Sequence, residues 1–114
     1  ADTVFIPMIE SVAGVENLDA ICGVPGVHAV FVGPNDLTTT MGIPNEYDHP
    51  DFVALLRRVI DTADRRHVAA GCWFARTDQM LRTIRHGARL VVYSNDSAMM
   101  RDAMAAAFAD LRRG

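Results

Sequence analysis

Two carboxylates stand directly behind short apolar runs. Glu10 follows residues 4–9, Val-Phe-Ile-Pro-Met-Ile, and Asp36 follows residues 27–32 by way of Gly33-Pro34-Asn35. In parallel α/β folds, functional groups collect at the carboxyl ends of the strands. Neighbouring strands lie about 4.8 Å apart, so two such acids on adjacent strands can reach one cation. Two carboxylates with no histidine beside them make a hard oxygen site, which suits Mg2+ or Mn2+ better than Zn2+. The same acids have a plainer use: Glu10 as a cap for the helix that follows it, and Asp36 as a cap for a short turn over residues 37–41. Gly33-Pro34-Asn35-Asp36 offers a second device. Its glycine permits close backbone approach, and the N–H groups after Pro34 can face an anion; an ordinary strand-ending turn has the same composition.

The other candidates carry less. His28 falls in an apolar run, and His67 and His86 fall near helix ends, so each reads as structural. His49, just before Pro50, is the histidine able to approach the acids, with a turn or cap as its alternative role. Trp73 and Phe74 close a third apolar run and either wall a pocket or belong to the core. Asp96 precedes the last helix and reads as its N-cap. Met99, Met100 and Met104 form a helical stripe that reads as packing. Cys72 reads as a small strand hydrophobe, because no histidine is placed to activate it. The chain has eleven arginines and no lysine. A Schiff-base mechanism, pyridoxal phosphate attachment and a P-loop each need a lysine, and this chain supplies none of them.

The elements that must position these residues alternate. Residues 4–9 predict a strand weakened by Pro7. Val15, Leu18, Ile21 and Cys22 recur at helical spacing, and Gly23 is placed to end that helix. Residues 27–32 predict a second strand, stopped by Gly33-Pro34. Residues 35–50 predict a polar loop. Residues 51–67 predict a helix with Phe52, Leu55, Leu56, Val59, Ile60 and Ala63 on one face, capped by Asp48 or Asp51. Strands over 68–74 and 89–93 are each followed by a helix, over 77–86 and 97–112. These are four βα units in one domain over residues 1–114. The fold class is α/β with a parallel sheet: half of a (β/α)8 TIM barrel, or, from the pattern alone, an open three-layer sheet.

Half of the 114 residues are hydrophobic and 22% are charged, a globular balance, and the net charge is −3. An acidic chain without a basic stripe predicts no nucleic-acid partner. No apolar run reaches the roughly 18 residues of a membrane span. The first residues, Ala1-Asp2-Thr3-Val4, lack the basic region of a secretory signal, and two cysteines are too few for a disulfide framework. A cytoplasmic protein is expected.

At Pro7-Met8-Ile9-Glu10-Ser11, Val24-Pro25-Gly26-Val27, Val30-Phe31-Val32-Gly33-Pro34-Asn35-Asp36-Leu37 and Met41-Gly42-Ile43-Pro44 the sequence resembles the HpcH/HpaI aldolases, and residues 89–96 do so as well. The resemblance spans nearly the whole chain. It implies a class II aldolase, a carbon–carbon lyase that cleaves a 4-hydroxy-2-oxo acid to pyruvate and an aldehyde with a divalent metal, Mg2+ foremost, or Mn2+ or Co2+. By resemblance, Glu10 and Asp36 match the protein ligands of the metal. Gly33, Pro34, Asn35 and Asp36 match the stretch that holds the substrate carboxylate. The absence of lysine agrees with a metal, rather than an imine, as electron sink.

The resemblance also implies differences. A glutamine that contacts pyruvate in some members is Met8 here. The chain matches only the second half of the family barrel, strands five to eight. The arginine that steadies the enolate and the histidine–acid pair used in proton transfer belong to the first half, and Arg76 and Arg89 are not at the matching places. Three functions follow as expectations: an aldolase incomplete as this chain alone, a non-catalytic half-barrel that serves oligomerisation or binds metal, or a lyase of CoA esters like the citrate-lyase β chains. A four-stranded half-barrel leaves two sheet edges and its inner face uncovered. Association is therefore expected, either with an amino-terminal half-barrel or with a second copy in a four-plus-four barrel.

Overall fold

The structure, a computed structural model, describes residues 3–114; Ala1 and Asp2, which contributed to the reading of the chain's start, lie outside the described residues. The sequence folds as β1 (Met8–Ile9), α1 (Val12–Glu16), α2 (Leu18–Cys22), β2 (Ala29–Val32), α3 (Pro34–Thr40), α4 (Pro50–Arg65), β3 (Ala69–Phe74), α5 (Thr77–Arg85), β4 (Leu90–Tyr93) and α6 (Asp96–Leu111). The four strands form one parallel sheet in the order β1-β2-β3-β4. This is the succession of βα units in half of a TIM-type barrel. Among the described residues no helix is long and apolar enough to cross a membrane.

The alternation of side chains along the strands sorts the two faces. Ile9, Val30, Val32, Ala70, Cys72 and Phe74 are buried. They pack into one core with Leu18, Leu37, Phe52, Leu56, Val59 and Ile60 from the helices. α4 buries the predicted stripe, with Leu55 only half-buried. On the other face the register aligns Met8, Phe31, Gly71 and Leu90 in a row across all four strands. No helix covers this row: Met8 is 56% exposed, and Phe31 and Leu90 are half-buried. The helical side of the sheet is thus buried and the other side is left open, as the half-barrel reading expects.

Several local expectations are corrected. The first strand is two residues long, not six, and Val4 and Phe5 are exposed. Pro7 supplies only an acceptor there, taking the Phe31 N–H at 2.9 Å, because its ring leaves no N–H to extend a ladder. The first predicted helix divides at Asn17, whose side-chain amide donates to the Ala13 carbonyl at 2.9 Å in competition with the helix backbone. The loop expected over 35–50 begins as a helix, α3, with Pro34 at its first position. Neither Asp48 nor Asp51 caps α4: His49 does, its Nδ1 accepting the Asp51 N–H at 3.2 Å. Asn95, not Asp96, caps α6, its Oδ1 accepting the Ala98 N–H at 2.8 Å. Met99, Met100 and Met104 do not pack. They are exposed, as are Phe108 and Leu111, because α6 buries only Ala98. The radius of gyration is 16.4 Å, against about 13 Å for a compact chain of this length.

Candidate functional site

Parallel pairing of β1 with β2 fixes the placement of the two acids. Met8 lies opposite Phe31 and Ile9 opposite Val32. Glu10 therefore leaves the sheet beside Gly33, whose N–H donates to the Ile9 carbonyl at 3.1 Å. Gly33 also starts α3, and Asp36 stands in the first turn of that helix. Both acids thus sit at the carboxyl end of the sheet, just past the ends of neighbouring strands. Gly33 has an ordinary φ of −87°, so its lack of a side chain is a matter of space. A Cβ there would stand 3.1 Å from Glu10 Cβ and 3.3 Å from both Glu10 Oε2 and Met8 Sδ. The glutamate side chain lies over the glycine, at the foot of α3.

The plainer roles of these acids are not taken up. Ser11 caps α1, its Oγ accepting the Gly14 N–H at 3.1 Å, so Glu10 does not. Asp36 makes no side-chain cap bond for α3. Most other aspartates are tied to guanidinium groups: Asp19 to Arg66, Asp48 to Arg82, Asp64 to Arg89, Asp78 to Arg76 and Arg82, Asp102 to Arg101, Asp110 to Arg113. Among the described residues neither Glu10 nor Asp36 has an arginine or histidine partner. Two exposed carboxylates without cationic partners, one of them over the space that Gly33 leaves open, are a donor set that fits a hard divalent cation. No group of three or more His, Cys, Asp or Glu able to hold a metal occurs among the described residues, so other oxygens would complete such a shell.

Met8, Phe31, Gly33, Pro34, Asn35, Asp36 and Trp73 line an open cleft of about 190 Å3. Its floor is apolar, and its polar edge is Asn35-Asp36, whose backbone N–H groups in the first helical turn have no intrahelical acceptor. Trp73 is held in the wall by its indole N–H, which donates to the Ser94 carbonyl at 2.8 Å. Ser94 accepts that geometry in a left-handed backbone conformation, with φ of 54°. Two larger hollows lie elsewhere. One, of about 450 Å3 between α1, α2 and α4, mixes Arg57, Arg58 and Arg65 with Glu16, Asp19 and Asp61, so its charges cancel. The other, of about 490 Å3, lies beside Tyr47 and His49.

The cleft brings together Met8, Gly33, Pro34, Asn35, Asp36 and Trp73 and leaves the histidines out; Glu10 does not line it and lies beside it, over Gly33. His49 serves α4, and no histidine or arginine lines the cleft. Phe74 is core. Burial pushes the Cys72 thiol up to about 12, which keeps it neutral and unreactive near pH 7. Tyr47 was not among the candidates, although an aromatic residue inside a polar loop was a signal. Its ring packs edge-on against Phe74 at 5.9 Å and tilted against Phe52 at 6.1 Å, and its hydroxyl reaches Asn35 Oδ1 at 2.5 Å.

A sequence profile described as HpcH/HpaI aldolase/citrate lyase matches residues 1–103. A hydroxypyruvate/pyruvate aldolase of Roseobacter denitrificans is 34% identical over 100 residues, 88% of this chain and 39% of that protein. A 2-keto-3-deoxy-L-rhamnonate aldolase of Klebsiella pneumoniae is 46% identical over 63 residues, 55% of this chain and 22% of that protein. Among solved structures, an HpcH/HpaI aldolase/citrate lyase family protein from Burkholderia cenocepacia superposes with a TM-score of 0.89 at 31% identity, covering 94% of this chain and 42% of that one. The chain thus spans about two-fifths of the Roseobacter relative's length, 39%. The four-stranded parallel sheet, the acids at its carboxyl edge and these matches agree, and the chain belongs to the HpcH/HpaI aldolase/citrate lyase family.

Proposed function

We propose that this chain provides the metal-binding half of an aldolase site that cleaves a 4-hydroxy-2-oxo acid to pyruvate and an aldehyde. The observation that carries the reading is a pair of unpartnered carboxylates just past the ends of adjacent parallel strands, Glu10 over Gly33 and Asp36 in the first turn of α3. Glu10 and Asp36 would hold the cation, with Mg2+ foremost and Mn2+ or Co2+ as alternatives. Bound there, a divalent cation supplies Lewis-acid stabilisation of the negative charge that develops on the 2-oxo group as the carbon–carbon bond breaks. The chain's own residues do the rest of what this half can do. The Asn35 and Asp36 N–H groups hold the substrate carboxylate, Gly33 and Pro34 bring that backbone close, and Met8, Phe31 and Trp73 exclude water from one side.

The proton that must leave the 4-hydroxyl needs a base, and no histidine lines this cleft. That group comes from whatever closes the open face. The aligned row of Met8, Phe31, Gly71 and Leu90, the exposed Val92 and Tyr93 of β4, and the free edges of β1 and β4 call for a covering layer. An amino-terminal half-barrel or a second copy of the chain meets that need. Sedimentation of the isolated chain is expected to show self-association, and a stable monomer with a well-packed core would count against the covering layer.

Trp73 is the sole tryptophan and lines the cleft, so its fluorescence reports on the site. Addition of Mn2+, a paramagnetic quencher, is expected to quench it saturably, with reversal by EDTA. Pyruvate release from 4-hydroxy-2-oxo acids is then expected only with metal present. Saturable Mn2+ binding without turnover in the fully associated protein would favour the second reading, a metal-binding module without catalysis, which the absence of histidine and arginine from the cleft supports. Turnover of a CoA ester instead would favour a citrate-lyase-like activity. A chain that binds no divalent metal would remove the aldolase reading.

A further inference from the structure

Next to the cleft, Tyr47 reaches Asn35 from outside it. The Tyr47 hydroxyl lies 2.5 Å from Asn35 Oδ1 and 2.9 Å from Asn45 Oδ1. A phenol has one proton to give, and of its two contacts the one to Asn35 is the shorter. The ring packs against the buried pair Phe52 and Phe74, which are 0% and 2% exposed, and this contact anchors it beside α3. Burial also holds the Tyr47 hydroxyl above its usual titration range, so it stays a donor at neutral pH.

Asn35 is fixed from its backbone side as well. Its carbonyl accepts from Thr39 Oγ1 at 2.8 Å, while the Thr38 hydroxyl donates to the Pro34 carbonyl at 2.7 Å. Thr38, fully buried, accepts the Asn45 N–H at 3.0 Å and so ties α3 to the segment that carries Tyr47. With Oδ1 committed to Tyr47, the end of the Asn35 carboxamide left without a partner among the described residues is its N–H2 group. Asn35 lines the cleft beside Asp36, and Tyr47 does not.

We propose that Tyr47 is a positioning residue that fixes the Asn35 carboxamide with its N–H2 available to an oxygen of the bound 2-oxo acid, making Asn35 a specificity-determining donor at the site. The inference rests on the reading of Glu10 and Asp36 as the metal pair. It is separate from the backbone N–H contacts, because it concerns side chains that a glycine or alanine at position 35 would lack. A carboxamide free to rotate would offer an acceptor as readily as a donor, and an acceptor repels a carboxylate or carbonyl oxygen.

The test uses the protein with Mn2+ and pyruvate as probes, each followed by Trp73 fluorescence and calorimetry. Tyr47→Phe keeps the ring and removes the hydroxyl. It is expected to leave the Mn2+ dissociation constant within about twofold of wild type and to weaken pyruvate binding to the metal-loaded protein about three- to tenfold, the range of one hydrogen bond. Asn35→Ala is expected to cause the same loss. The double variant is expected to lose no more than either alone, since the two residues act as one unit. Additive losses, a Tyr47→Phe variant that binds pyruvate like wild type, or one that loses Mn2+ and pyruvate equally along with its melting temperature would each overturn the proposal. If Mn2+ binds and is lost in Asp36→Asn while Tyr47→Phe binds pyruvate normally, only this inference falls. If wild type takes no Mn2+, the metal reading falls and this inference with it.

Discussion

Asp36→Asn and Glu10→Gln are each expected to weaken Mn2+ binding by at least about 100-fold while leaving the melting temperature nearly unchanged. The amides match the acids in size, so space is not the variable. What is lost is one of two negative charges that face a hard cation. Loss of a group that merely orients a ligand costs 10- to 100-fold, so loss of a ligand itself should reach at least the upper end. Stability is spared for a reason visible in the structure: both side chains are exposed, and neither caps a helix or pairs with a guanidinium. A saturable quench of Trp73 by Mn2+, measured in each variant beside a thermal melt, gives both numbers. If either variant binds Mn2+ like wild type, that residue is not a ligand. If either unfolds the protein, it has a structural role that its surroundings do not reveal.

Gly71→Ala is expected to have the largest effect on folding. Gly71 lies in the middle of β3, between Phe31 of β2 and Leu90 of β4. A Cβ at this position would stand 2.5 Å from the Leu90 carbonyl oxygen, 2.7 Å from Leu90 Cβ and 2.9 Å from Leu90 Cγ. The first of these is backbone. It cannot retreat without opening the β3–β4 ladder, anchored at its start by the Arg89 N–H on the Ala70 carbonyl at 2.9 Å and at its end by the Ser94 N–H on the Phe74 carbonyl at 3.0 Å. Overpacking costs roughly 1–3 kcal/mol, and a site that cannot relax belongs at the upper end, a large part of a typical domain's stability. The variant should melt far below wild type or fail to accumulate. Gly23→Ala is the control. Its φ is −80°, and an added Cβ would meet its nearest neighbours at an ordinary 3.4 Å, so little change is expected. A Gly71→Ala protein as stable as wild type would mean that β4 does not sit in this register.

The two effects separate cleanly along the chain. Glu10 and Asp36 matter to chemistry and hardly to folding. Gly71, between Phe31 and Leu90 in the register, matters to folding. A protein of this size has few residues to spare for both tasks. The division follows the strands: side chains along their length hold the sheet, and side chains just past their ends are free for a ligand.

Much of this was legible in the residues. Periodic apolar positions in residues 51–67 gave α4 to within two residues at either end, because one helical face must be buried. The apolar runs at 27–32, 68–74 and 89–93 gave β2, β3 and β4. The ordered motif from Gly33 to Pro44 pointed to the family, and the profile match supports it. The failures have a common physical source. A cap is chosen by small differences in local geometry among several competent residues, so His49 displaced Asp48 and Asp51, and Asn95 displaced Asp96. The methionines of α6 read as core because spacing reports amphipathicity and not whether a neighbour exists to cover the face.

The sequence by itself determined the alternation of strands and helices, the parallel α/β class, the absence of any lysine for imine chemistry, and the two acids that end successive strands. These properties are local, or follow from which side chains water rejects. Only the tertiary structure decided that β1 and β2 are neighbours, that Glu10 lies over Gly33 with no arginine to neutralise it, that Tyr47 reaches across twelve residues to Asn35, and that Leu90 leaves room for nothing larger than glycine at position 71. Those are contacts between residues far apart in the chain, settled when the sheet closes its register and the core packs, and no spacing along the sequence encodes them.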